Sequence, residues 1–215
     1  MKTILWYAVV FSMSVVVVTG QEKQGQIIAD HFEKDAEGWH IYDFSGGPGK
    51  RDIFRPVTWE RSGGVKNSGY IWADDSRWSI DTPEKPHSIL ALIHYRRWVK
   101  GPPLDMRDAE VSVYLRGDKL DLKGAKCYFW VNKPGTRWHL TTQPLKITEG
   151  KWGDKLTFVC KNDEKLWHRS WANFPINLND VLQTCHSYGF AFVGFSEKVT
   201  GKFAMDDFVI QLAPR

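Results

Sequence analysis

The sequence predicts an all-β protein, an antiparallel β-sandwich of the jelly-roll type with one short helix near residues 178–186. Three observations favour this fold. Roughly eight to ten short apolar or alternating segments follow one another, turn residues separate them about every ten positions, and strands do not alternate with helices. The length of 215 residues suits one domain.

The chain begins with the pattern of a secretory signal peptide over residues 1–20. An early Lys2 precedes a long apolar run, and Val18-Thr19-Gly20 is a small-residue cleavage site. The alternative is an uncleaved anchor helix, although the apolar run is shorter than the roughly 20 residues that span a bilayer. We expect a secreted, extracellular protein (periplasmic in a bacterium) with no transmembrane segment once the leader is removed. Residues 21–29 are then a polar lead-in, and a single domain covers 30–215.

The net charge limits the classes of binding partner, and the cysteine content limits the number of disulfides. The net charge is +4 and the basic residues are scattered, which argues against nucleic acid and against an anionic membrane as partners. The cysteines are Cys127, Cys160 and Cys185. Export permits one disulfide and one free thiol, whereas three buried thiols are the alternative, and the sequence leaves both open.

The strand candidates are alternating or continuously apolar runs that end at Gly, Pro, Asn or Asp. In chain order they lie at 30–39, 40–44, 57–73 (two strands across a Gly-Gly loop), 89–99 (strand or short helix), 109–118, 126–141, 155–161, 188–195 and 202–212. The 109–118 segment alternates cleanly, with Val111, Val113 and Leu115 on one face. The helix candidate has Asn177 or Asn179 as its N-cap.

The segment 126–141 reads as a hairpin in which Lys133-Pro134-Gly135-Thr136 forms the loop. Side chains alternate along each strand, so one face carries a core set: Cys127, Phe129, Val131, Trp138 and Leu140. With this loop Asn132 faces Arg137, Trp130 faces His139 and Tyr128 faces Thr141. The second face therefore mixes flat rings with hydrogen-bonding groups, as a sugar-binding surface does: Tyr128, Trp130, Asn132, Arg137, His139 and Thr141. The alternative is an amphipathic hairpin whose rings lie under a neighbouring loop.

Two further segments are candidates for ligand contacts. In the polar loop 74–81, Trp78 can stack on a sugar ring while Asp75 and Arg77 bind its hydroxyls; alternatively Trp78 folds back onto the core. The basic aromatic segment 94–98, His-Tyr-Arg-Arg-Trp, can also stack on sugars. Its alternative is a Trp packed on an Arg stem at a strand end.

Short motifs at both ends of the chain suggest a family. Phe32-Glu33 followed by Gly38-Trp39, together with the closing Met205-Asp206-Asp207-Phe208-Val209, resembles galactose-binding-like jelly rolls, which include many carbohydrate-binding modules. The segments 62–75 and 178–195 are similar to laminin B (laminin IV) type domains, although this chain lacks their flanking Cys-rich repeats.

This resemblance implies a structural calcium ion that joins the first strand to the last. Glu33 and Asp206 would be ligands, with Asp207 as a weaker candidate, and backbone carbonyls would complete the six to eight oxygens that calcium takes. The alternative is that these carboxylates are solvated or pair with Lys34 or Lys202.

Motifs of the common hydrolases, metalloproteases and phosphate-binding loops are absent from the sequence. We therefore expect no catalytic residues, and a secreted module that binds a glycan or a glycosylated surface. The alternatives are a laminin-B-like domain that binds an extracellular protein, and a polysaccharide-degrading hydrolase or lyase. A hydrolase would need a carboxylate pair, for which Asp74-Asp75 with Asp81, or Asp105 with Asp108 and Glu110, are the candidates.

Overall fold

The computed structural model describes residues 25–43, 53–79 and 88–215, and the predicted leader lies outside them. Fourteen strands occur in this part of the chain, and they are, in order, β1 Ile27–Asp30, β2 Trp39–Asp43, β3 Ile53–Pro56, β4 Thr58–Glu60, β5 Tyr70–Asp74, β6 Ser88–Tyr95, β7 Glu110–Asp121, β8 Lys126–Lys133, β9 Thr136–Leu140, β10 Thr148–Glu149, β11 Leu156–Val159, β12 Trp167–Ala172, β13 Ser187–Val193 and β14 Thr200–Gln211. One α-helix, α1, covers Leu178–Gln183. None of the helices in the described segments is long and apolar enough to cross a membrane.

The strands form two sheets, as the jelly-roll prediction requires. Sheet A has the order β10-β7-β14-β5-β4, with β1 paired to β14 and β11 paired to β7. Sheet B has the order β12-β9-β8-β13-β6-β2-β3. Every pairing is antiparallel except that of the short β10 with β7. The predicted all-β sandwich is confirmed.

The main core lies between the two sheets and is rich in aromatic rings. From sheet A, Phe208 meets Trp39 of sheet B edge-on, with ring centroids 5.0 Å apart. On β7 the predicted face of Val111, Val113 and Leu115 is buried, because alternate side chains of a strand point to the same side. The three cysteines are buried free thiols, so the buried-thiol alternative describes this structure.

Several boundaries differ from the prediction because tertiary pairing decides them. β1 begins at Ile27, inside the predicted polar lead-in, where it pairs with the end of β14. The 89–99 segment is a strand and then a 3₁₀ turn at Arg96–Val99, so both interpretations hold in part. Helix α1 ends at Gln183, before the predicted residue 186, because Cys185 instead bridges Leu104.

Candidate functional site

The predicted hairpin is formed by β8 and β9, and its register is the predicted one. Trp130 pairs with His139 and Asn132 with Arg137. Lys133 also pairs with Thr136, so the loop has two residues rather than four. The Pro-Gly loop fits a type II turn, because Gly135 has the positive φ of 99° that its second position needs.

The two faces of the hairpin are those predicted, although one predicted pair is missing. The core set is buried between the sheets: Cys127, Phe129, Val131, Trp138 and Leu140. β9 ends at Leu140, and the Thr141 N–H donates to the Leu166 carbonyl at 3.1 Å. Tyr128 therefore does not face Thr141 in the ladder. It pairs instead with Ala191 of β13 and is half-buried.

The second face of the hairpin belongs to a larger surface, the outer face of sheet B. Its residues are identified by the pairing of β6, β8, β9 and β13 and by the contacts of the flanking rings. The described residues on this face include His40, Tyr42, Phe54, Leu90, Ile93, Tyr95, Arg97, Trp98, Lys126, Tyr128, Trp130, Asn132, Arg137, His139, Ser187, Gly189, Ala191 and Val193. Carboxylates are not among them. This face is the strongest candidate for a binding site.

Four predicted ligand-binding residues form the floor of this face and are buried, whereas the sugar-surface prediction assumed exposure. Trp130 and His139 are each 1% exposed, Arg137 is 7% and Asn132 is 8% exposed. Trp130 belongs to a small second core with Leu90, Ile93 and Ala191. Helix α1 is not the cover, because its apolar side chains belong to the main core.

The polar groups of the floor mostly bind the protein itself. The Asn132 amide donates to the Thr136 carbonyl at 2.9 Å and its oxygen lies 3.1 Å from the Ser187 hydroxyl. The Arg137 guanidinium lies 5.9 Å from the Trp130 ring centroid, and its Nε donates to Ser170 at 3.3 Å. These contacts fix the orientation of the floor.

Gly189 explains how the large Trp130 ring fits into the centre of the sheet. A Cβ on Gly189 would overlap the Leu92 carbonyl oxygen and would come within 3.0 Å of Trp130 Cζ2. Since real Cβ atoms essentially never approach so closely, only glycine leaves room for the indole over β13.

Two ring nitrogens of the floor have no hydrogen-bond partner: Trp130 Nε1 and His139 Nε2. They belong to directly paired residues on neighbouring strands. Burial, together with the electrostatic influence of nearby Arg137 and His168, lowers the pKa of His139 well below its usual range, so its imidazole is neutral. An indole N–H can only donate, whereas a neutral imidazole nitrogen can donate or accept. Because buried polar groups are nearly always paired, these two atoms mark a place in the floor where a ligand atom or an ordered water molecule can bind.

A cluster of half-buried rings borders the floor on the β2, β3 and β6 side. Phe54 lies 5.0 Å from Trp98 and 5.5 Å from both Tyr42 and Tyr95, measured between ring centroids. His40 lies 4.3 Å from Trp98. The sequence indicated Tyr95 and Trp98 through the basic aromatic segment but missed the other three. The alternation of His40 and Tyr42 in a predicted strand was the available signal.

The loop candidates Asp75, Arg77 and Trp78 contact other parts of the chain. The Trp78 ring meets Phe192 of the main core edge-on at 5.2 Å, which matches the fold-back alternative. Asp75 accepts from the Gly201 N–H at 3.1 Å, and Arg77 donates to the Pro56 carbonyl at 3.2 Å. Their binding role stays a prediction, and Asp81 lies outside the described residues.

The three predicted metal ligands meet in one cleft of about 440 Å³ at the edge of sheet A. It is lined by His31, Glu33, Val65, Lys66, Asn67, Ser68, Tyr114, Asp206 and Asp207. A bulge in β14 at Asp207, whose φ is 47°, directs successive carboxylates into it. The cleft thus contains Glu33 and Asp206, which are 173 positions apart in the sequence and were predicted to be neighbours from the family resemblance alone.

Hydrogen bonds within the cleft already use much of the acceptor capacity that a calcium ion would need. Asp206 Oδ2 accepts from the Val65 N–H at 2.6 Å and from the Ser68 hydroxyl at 2.7 Å. Asp207 binds His31 at 2.7 Å and Lys155 at 2.9 Å, not the predicted Lys34 or Lys202. Within the described ranges, no three His, Cys, Asp or Glu side chains are arranged to hold a metal. The oxygens are of the right chemistry, but protein donors already engage them, and calcium stays a prediction.

No family model and no curated protein matches this sequence. Among solved structures, the chain is similar to the xylan-binding CBM22-1 domain of Xyn10C from Paenibacillus barcinonensis, with 14% identity, 91% of this chain and 99% of that chain covered, and a TM-score of 0.49.

Two further solved structures are similar at comparable levels. One is the family 11 carbohydrate-binding module from Clostridium thermocellum in complex with a β-1,3-1,4-mixed-linked tetrasaccharide (10% identity, 91% and 99% covered, TM-score 0.48). The other is the L4b domain of human laminin alpha-2 (8% identity, 88% and 98% covered, TM-score 0.46). These are the two kinds of domain that the sequence resembles. With TM-scores below 0.5, they leave function to be argued from this chain's own residues.

Proposed function

We propose that the protein is a secreted, non-catalytic module that binds carbohydrate on the outer face of sheet B. The observation that carries the proposal is the pair of buried, unpartnered nitrogens, Trp130 Nε1 and His139 Nε2. A sugar offers hydroxyl and ring oxygens at close spacing, and these satisfy such groups, whose isolation costs about 1–3 kcal/mol each. The bordering rings supply apolar surfaces on which the C–H face of a pyranose can lie.

The non-catalytic part of the proposal rests on the candidate carboxylates. Asp105 is engaged by Arg107 at 2.5 Å and by Arg215 at 3.4 Å. These partners hold the pKa of Asp105 below its usual range, which makes it a poor general acid. Asp75 is held by Lys198 and the Gly201 N–H. A carboxylate committed to a cation within its own chain is a poor partner for glycoside hydrolysis.

The test is affinity electrophoresis of the mature protein in gels that contain soluble polysaccharides of several classes. Trp130→Phe replaces the indole with a smaller aromatic ring and removes the N–H, so we expect binding to weaken roughly two- to tenfold, the value of one hydrogen bond. Trp98→Ala removes a bordering ring and should weaken binding by a similar factor.

The matched control is Trp152→Phe, since Trp152 lies against Arg116 beside sheet A and its Nε1 donates to the Gly63 carbonyl at 2.9 Å. This variant should bind like the wild type. Thermal melts show which variants remain folded. The proposal fails when no polysaccharide retards the wild type, or when folded Trp130→Phe and Trp98→Ala both bind as well as the control.

A further inference from the structure

The charge on the outer face of sheet B has one sign among the described residues. Its charged side chains are Arg97, Lys126 and Arg137. Arg97 and Lys126 are exposed, and they lie at opposite ends of the face. Arg97 stacks on Tyr95 with its guanidinium 5.3 Å from the ring centroid. Lys126 is the outermost residue of β8 on this side, paired with Val193.

The outer face of sheet A is organised differently, because carboxylates stand beside the cations Lys202 and Arg116 on its described strands. Lys202 is paired with Asp74 and Asp118 across the sheet and lies 3.9 Å from the Trp72 ring centroid. Arg116 binds Asp118 at 3.0 Å. Among the described residues, the outer face of sheet B is therefore basic whereas that of sheet A carries both signs, and a surface of one sign selects partners of the other.

The unpartnered nitrogens in the floor favour the same kind of partner. Trp130 Nε1 requires an acceptor, and the neutral His139 can carry its proton on Nε2 and donate as well. A sugar hydroxyl that accepts hydrogen bonds from both nitrogens also carries a hydrogen of its own, which must find an acceptor in this buried site. An ionised carboxylate only accepts, through two oxygens, and its stronger, charge-assisted bonds offset part of the cost of burying its charge.

We propose that the ligand of this face is an anionic polysaccharide whose uronic-acid carboxylates are bound by Trp130 and His139 in the floor and attracted by Arg97 and Lys126. This inference rests on the proposed carbohydrate-binding function and adds the class of sugar. Electrostatic attraction of this kind is screened by salt, so binding should weaken as ionic strength rises.

The experiment compares polygalacturonate and alginate with neutral xylan and mixed-linkage β-glucan, and with dextran sulfate as an anion without carboxylates. The test variant is Arg97→Gln/Lys126→Gln. The matched control is Lys151→Gln/Lys161→Gln, which removes the same charge from exposed residues that follow strands of sheet A. We expect uronate binding to fall roughly five- to thirtyfold in the test variant and about twofold or less in the control. Adding Trp130→Phe to the test variant should weaken uronate binding further.

The outcomes separate the two proposals. Equal affinity for neutral and uronic polysaccharides overturns the anionic assignment and leaves carbohydrate binding intact. Binding to dextran sulfate alone, or an equal loss in both double variants, also overturns it, because net charge would then explain the attraction. Failure of every polysaccharide to bind overturns the carbohydrate-binding function itself.

Discussion

At the scale of single residues, burial moves two titratable groups of the core in opposite directions. Burial raises the pKa of Asp30 to about 7, although the hydrogen bond that Asp30 accepts from Trp39 Nε1 at 2.9 Å lowers it. Glu37 adds a smaller increase, which Arg96 and His31 oppose. Burial, with the charge of Arg96, lowers the pKa of His94 to about 3. Both effects follow from the cost of placing a charge in the core.

Asp30→Asn is predicted to change how stability depends on pH. The folded state holds the Asp30 proton more tightly than the unfolded state, so the stability from Asp30 is fully present below pH 3.8 and is lost as the pH rises to about 7. His94 changes the stability in the opposite sense between pH 3 and 6.5, but this contribution is the same in the wild type and in Asp30→Asn. The free energy of unfolding of the wild type, measured by urea titration, should therefore fall relative to the variant by up to about 4 kcal/mol across this window. Parallel curves for the two proteins would contradict the assignment.

At the scale of elements, helix α1 depends on its surroundings, because six residues are too few for a helix to be stable alone. Leu178, Val181 and Leu182 anchor it in the core. The Asn177 side chain accepts from the Asp180 N–H at 2.9 Å and so caps its first turn. Of the two predicted caps, Asn177 is the one that the structure uses.

Asn177→Ala should destabilise the protein by about 1 kcal/mol, the usual value of a lost N-cap. Asn179→Ala is the control, since Asn179 lies inside the helix and contacts Asn162 on the surface, where substitutions usually change stability by about 0.5 kcal/mol or less. Chemical denaturation measures both. A cost for Asn179→Ala equal to that for Asn177→Ala would show that the cap geometry is not what stabilises this turn.

At the scale of the whole molecule, the sequence predicts features of a single segment better than features that depend on contacts between distant segments. The register of Trp130 with His139 follows from one turn and a period of two, which are local properties. The burial of Trp130 depends on Gly189 and Ile93, which lie on other strands, so the hairpin alone could not reveal it. The short strands β3 and β10 likewise exist through their pairing rather than through their own pattern.

The cleft at Glu33, Asp206 and Asp207 is also a property of the whole molecule, because it joins the beginning of the chain to its end. Burial raises the pKa of Asp206, whereas hydrogen bonds from Lys155 and His31 outweigh burial at Asp207 and hold its pKa below the usual range. A calcium ion in this cleft would therefore compete with Lys155 for the Asp207 carboxylate. Removing the lysine should make the ion bind more tightly.

We predict that calcium raises the melting midpoint of Lys155→Ala more than that of the wild type, and that a chelator abolishes the difference. A ligand at about 100 times its dissociation constant stabilises the folded state by about 2.7 kcal/mol, which melting experiments resolve easily. Glu33→Gln should remove the calcium effect in both backgrounds, whereas Glu197→Gln, an exposed carboxylate that contacts Lys123, should leave it unchanged. If calcium and chelator give the same midpoint in both proteins, the ion has no part in this fold. The His31 and Lys155 contacts to Asp207 then stabilise this cleft without an ion, alongside the pairing of β1 with β14.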